Sequence, residues 1–271
     1  MGAGLLRARQ SVRADACRRA HRVLAAASTA FASFAAAGFP GCLHIADVGR
    51  VLVGPLLAAH GRVAVVIVDA MRADAARVVA SEFSRALPER RPVWHWAVVE
   101  PPTRTAEAMA ALALGRPVPG GSAFPGGGRS LVSPAGAGPA HGREPEPWPA
   151  PFGHLGYEVA LLKQADRDHS AQELRDLWAS PSPVMVAVAA ALDERLHHSS
   201  VELAVLLDDA SRAISRRALA SLATLPPSAP IVLMADHGFR ENPSWGKGPE
   251  GRYVHGGMSL EECVVPIIVA T

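Results

Sequence analysis

Asp236 and His237 stand side by side, directly after the apolar run Ile231 to Ala235 and before Gly238. His255 follows 18 residues later, ahead of Gly256 and Gly257. One carboxylate and two imidazoles suit Zn or Mn, whereas Ca takes oxygen alone. The same residues also fit a plain turn, with Asp236 capping it and Gly238 supplying a positive φ. The difference lies in whether distant parts of the chain bring matching side chains to the same place.

Three apolar runs end in an acid. Val63 to Val68 stops at Asp69, Val184 to Ala191 runs into Leu192 and Asp193, and Ile231 to Ala235 stops at Asp236. A fourth run, Val93 to Val99, leads to Thr105. In a parallel sheet the carboxyl ends of such strands share one edge, so residues far apart in sequence converge there. Each residue also has an ordinary reading. Asp69 and Thr105 could cap the helices they precede, with Glu107 helping in the first turn, and Asp193 could be surface charge beside Glu194 and Arg195. Asp193 and His197 are four residues apart, so on a helical turn they share a face and could bind one metal.

The chemistry of such a set is phosphoryl transfer. Two cations a few ångströms apart clamp a phosphoryl group between the attacking and leaving oxygens. A threonine hydroxyl is too weakly acidic to attack at neutral pH unless something lowers its pKa. Thr105 at a helix N-terminus would also offer backbone N–H groups to phosphate oxygens. Arg240 and Lys247, in the loop after Asp236, are candidates for stabilising the charge of the transition state, or are ordinary solvated loop charges.

The elements that must position these residues follow from the pattern. Val63 to Val68 is a strand, and its unbroken apolar character suits a parallel strand covered on both faces. A helix is expected over Ala70 to Leu87, a strand over Val93 to Val99, and a helix over Ala106 to Leu114 capped by Gly115. Further strands are expected within Phe152 to Leu162, over Val184 to Ala191, at Ile231 to Ala235 and over Val264 to Val269. Helices are expected at Ser170 to Trp178 and roughly Ser200 to Leu222. This alternation predicts an α/β fold, doubly wound, with a mostly parallel sheet and helices on both faces.

The chain has 271 residues, of which 49% are apolar, enough to bury a large core. Its net charge of +2 is too small to argue for a nucleic-acid or membrane partner. Three scattered cysteines, Cys17, Cys42 and Cys263, match no metal spacing and suggest a reduced, cytoplasmic protein. Residues 1–45 form an Arg- and Ala-rich stretch, expected to be helical and to pack on the domain or face a partner. Residues 46–271 form the domain itself, interrupted over 116–151 by a Gly- and Pro-rich insertion. No membrane span is expected.

Taken together, VVIVDAMRAD (Val65 to Asp74), PTRTAEAMAALALG (Pro102 to Gly115), LDERLHH (Leu192 to His198), MADHGF (Met234 to Phe239) and YVHGGMSLEECVVPI (Tyr253 to Ile267) resemble the alkaline phosphatase superfamily. Within it they resemble most the PglZ domain of bacteriophage-exclusion systems. The resemblance implies an alkaline phosphatase-like fold and two divalent metal ions, zinc or manganese. It implies that Asp69, Thr105, Asp236 and His237 hold one ion and Asp193, His197 and His255 the other. Thr105 would be the nucleophile, and Thr103 would not, since family members place it at the second threonine of P-T-x-T. The implied activity is a metal-dependent phosphodiesterase or nuclease in phage defence, with DNA or nucleotide phosphodiesters as substrates and other phage-exclusion proteins as partners. A phosphomonoesterase or phosphomutase acting on a small metabolite, and a non-catalytic scaffold, are the alternatives. PglZ proteins are usually much longer than this chain.

Overall fold

A computed structural model of the chain describes residues 41–101, 103–118, 150–162, 171–189, 191–214, 222–223, 225–242, 252–257 and 259–271. Most of the Arg- and Ala-rich stretch (1–40) and most of the Gly/Pro insertion (119–149) lie outside them, as does Lys247.

The core is built on β2, Val63–Val68, whose six residues are all buried. Four of the six are β-branched valines, and a pleated surface covered on both faces favours such side chains. It pairs in parallel with β5, Val184–Ala189, on one side and with β6, Ile231–Ala235, on the other. The remaining sheet strands are β1, Leu43–His44, β3, Pro92–Val98, β4, Val159–Leu162, and β9, Val264–Ala270. They complete a seven-stranded sheet in the order β1-β3-β9-β6-β2-β5-β4. A separate two-stranded ribbon joins β7, Arg240–Glu241, to β8, Tyr253–Val254.

The sheet is mostly parallel, as expected, with one antiparallel member. β9 runs against both of its neighbours, β3 and β6. This reversal decides where the site sits. The carboxyl ends of β2, β3, β5 and β6 all lie on one edge, and β9 begins at that same edge. The residues leading into β9, 255–257 and 259–263, are thereby delivered to the ends of the other strands.

The helices lie close to where the pattern puts them. Ala73–Ala86 starts three residues later than expected, because Asp69 and Ala70 form a turn in which Ala70 takes a left-handed φ of 62°. Thr105–Leu114 ends at Gly115, whose φ of 63° closes the helix in the left-handed cap that glycine allows. Ala191–His198 and Leu203–Ile214 follow β5, and the latter packs on Ala73–Ala86. The expected helix over Ser200 to Leu222 is thus described only from Leu203 to Ile214. Among the described residues no helix is long and apolar enough to cross a membrane.

Candidate metal centre

Sheet register sets the first pair of carboxylates. Val68 lies opposite Ala235, so the next residues, Asp69 and Asp236, leave adjacent strands at the same level. The Asp69 amide continues the ladder to the Ala189 carbonyl, 3.0 Å away. The chain then reverses at Ala70, whose left-handed backbone costs about 1 kcal/mol in a residue other than glycine. That conformation points the Ala70 amide at Asp236, where it donates to Oδ1 at 3.2 Å. The His237 amide donates to the same oxygen at 2.9 Å.

Oδ2 of Asp236 is buried and accepts no hydrogen bond from the described residues. It lies 3.7 Å from His237 Nε2, which is itself 3.2 Å from Asp69 Oδ1. Asp69, Asp236 and His237 are all buried, and one ligand atom from each lies within 4.8 Å of the others, so the three could hold a metal ion. Nδ1 of His237 is 2.9 Å from the Gly238 carbonyl, the contact that fixes the ring with Nε2 facing the carboxylates. A buried carboxylate oxygen of this kind is one that a cation could satisfy.

The electrostatics of the group follow from burial. Burial pushes the Asp236 carboxyl up to about 7, and the neighbouring Asp69 charge adds to the shift. Burial alone would lower His237, but the Asp236 charge, then the Asp69 hydrogen bond and charge, raise it to about 10. Without a metal, the imidazolium is the positive charge that the two carboxylates require.

Thr105 joins this group from the first turn of its helix. Its hydroxyl lies 3.3 Å from Asp69 Oδ1, 3.5 Å from Oδ2 and 3.0 Å from His237 Nε2. The four residues that the resemblance assigns to one ion therefore converge. Thr103, by contrast, is fully buried and turned away into the His255 loop: it accepts from the Gly256 amide at 3.2 Å and donates to the Gly257 carbonyl at 3.3 Å.

The second set is partly visible. His255 Nε2 is 3.3 Å from Asp193 Oδ1, and Asp193 sits in the first turn of Ala191–His198. His197 lies on the same helix, but its side chain is outside the described residues. The two sets touch: the rings of His237 and His255 stack with centroids 4.5 Å apart and 27° between planes.

Arg240, expected near substrate, forms an ion pair at 3.2 Å with the buried carboxylate of Glu262. Gly238 does not take a positive φ, contrary to the turn reading. Glycine is needed there because a Cβ would run into the Glu261 carbonyl oxygen. Three contributors were not singled out from sequence. Arg72, buried, pairs with Asp74 at 3.0 Å and lies over the Phe239 ring, bracing the loop after Asp236. Arg104, adjacent to Thr105, is 44% exposed, rests against Gly256 and has an ion-pair contact to Glu107 at 3.8 Å. Glu262 has the sequence signature of a capping box, Ser259 followed three residues later by Glu262, which could have been read.

A scan against protein-family models finds no match for the chain, and a search of curated proteins finds none.

Proposed function

We propose that the chain is a metal-dependent phosphoester hydrolase, acting on phosphodiesters such as DNA or nucleotides, with Thr105 as its nucleophile. The observation that carries this reading is the Thr105 hydroxyl, 3.0 Å from His237 Nε2 and 3.3 Å from Asp69 Oδ1, in the group whose buried Asp236 Oδ2 has no hydrogen-bond donor among the described residues. A bound divalent cation, zinc or manganese, would supply a lowered pKa for the hydroxyl and a counter-charge for the phosphoryl oxygens.

The protein's own groups would do the rest. Asp69 accepts the hydroxyl hydrogen bond and orients Oγ1. As Oγ1 attacks phosphorus its proton would pass to Asp69, the bond to the leaving ester oxygen breaks, and that oxygen takes up the equivalent proton to depart as an alcohol. Water then cleaves the phosphothreonine, which restores the Thr105 hydroxyl and releases the phosphate monoester. The helix N-terminus at Thr105 offers amides to the phosphoryl oxygens. Arg104 is exposed beside it for a further phosphate contact.

The resemblance to PglZ domains carries the finer statements. These are an alkaline phosphatase-like, doubly wound fold, a second ion at Asp193, His197 and His255, a role in phage defence, and phage-exclusion proteins as partners. The direct test is to quench a reaction on a labelled diester with acid and map the label by mass spectrometry. Phosphate on Thr105 supports the reading, and turnover with phosphate on no residue excludes the covalent step. Parallel assays on monoesters and DNA decide the substrate class.

A further inference from the structure

Glu262 is fully buried and carries more contacts than a helix cap requires. Its Oε2 accepts from the Ser259 amide at 3.0 Å, which is the capping contact. Its Oε1 accepts from the Gly257 amide at 2.8 Å, and Arg240 Nε pairs with Oε2 at 3.2 Å. The Glu262 carbonyl also accepts from the Gly238 amide at 2.9 Å, which ties this segment to the turn carrying Asp236 and His237.

Thr103 holds the other side of the same loop, through the Gly256 amide and the Gly257 carbonyl. The loop is cut to fit between them. Gly256 has a φ of 90°, and a Cβ on Gly257 would strike the Glu262 carboxylate. His255, the residue before these glycines, has its ring between His237 and Asp193. A loop gripped at both glycine peptides leaves the His255 backbone little freedom to swing its ring away.

We propose that Glu262 and Thr103 are positioning residues: together they clamp the Gly256–Gly257 peptides and so hold His255 against His237 and Asp193. The proposal deepens the metal-dependent reading and rests on it for its functional consequence. Groups that orient ligands in this way typically change metal affinity by about 10- to 100-fold when removed.

Two substitutions separate clamp from cap. Glu262→Gln keeps an amide oxygen for the Ser259 amide and Arg240, which share Oε2, since glutamine also serves in a capping box, but it offers the Gly257 amide no second acceptor. Thr103→Val removes the hydroxyl at nearly constant volume, and Thr103→Ser restores it.

The experiment follows amide hydrogen exchange at Gly256 and Gly257 and the imidazole signals of His255 and His237 by NMR, first without metal and then on titration with zinc. The expected result in Glu262→Gln and Thr103→Val is faster exchange at the two glycines, shifted His255 signals, His237 signals near their wild-type positions, and zinc affinity about 10-fold weaker. Thr103→Ser should return towards wild type. Folded variants whose glycine amides and His255 signals match the wild type would overturn the proposal. Wild-type protein that shows the protected loop but binds no zinc would instead overturn the metal reading and leave the clamp standing.

Discussion

Asp236 Oδ2 lies 3.7 Å from His237 Nε2, buried, with no hydrogen bond donated to it by the described residues. The other oxygen of the same carboxylate is doubly satisfied by the Ala70 and His237 amides. Asparagine can reproduce the satisfied oxygen but turns the unsatisfied one into an N–H donor. Asp236→Asn should therefore fold, with the strand end and turn intact, while losing metal. In the wild type, metal at 100 times Kd should raise stability by about 2.7 kcal/mol, and that increment should vanish in the variant. Thermal melts with and without zinc check it.

Metal affinity should rise with pH. A cation binds the deprotonated forms, so it must displace the proton that His237 carries below about 10. Below about 7, Asp236 holds a proton as well. The apparent association constant should therefore climb about tenfold per pH unit above neutrality and more steeply below it. Isothermal titration in buffers of differing ionisation enthalpy reads the protons released. A flat profile from pH 6 to 9 would contradict the assignment of His237 as a ligand.

Gly238→Ala should destabilise the protein by about 1–3 kcal/mol, the usual cost of forcing an extra methyl into a packed site. The methyl would meet the backbone carbonyl of Glu261, which cannot rotate aside as a side chain can. Denaturant unfolding measures this. Metal affinity should fall as well, because the Gly238 amide anchors the turn to Glu262.

The parallel strands and the meeting of Asp69 with Asp236 and His237 were legible in the sequence for one reason, while Thr105 was placed with them by resemblance. Val63–Val68 and Ile231–Ala235 are short, unbroken apolar runs that each end in an acid, and parallel register places such ends together. The antiparallel direction of β9 was not legible, because an apolar run carries no sign of its direction. Whereas the Ser259–Glu262 cap is a local pattern, the contacts of Thr103 with the glycine loop and of Arg72 with Phe239 were hidden for a related reason. They depend on peptides brought close by the fold, such as Gly257 to Thr103 across 154 positions, and no local pattern encodes that approach. Gly238 shows the same limit: its residue type was visible, but the close approach that requires it was not.

In the proposed reaction Thr105 attacks while the Asp69, Asp236 and His237 group holds the metal. The most direct measurement is zinc content and turnover of a chromogenic phosphodiester, made on the same preparations of the wild type, Thr105→Ala and Asp236→Ala. The wild type should bind zinc and turn over. Thr105→Ala should keep most of its zinc and lose turnover by about a thousandfold or more, and Asp236→Ala should lose both. A folded wild-type chain that binds no zinc or manganese, and is as inactive as both variants, would contradict it.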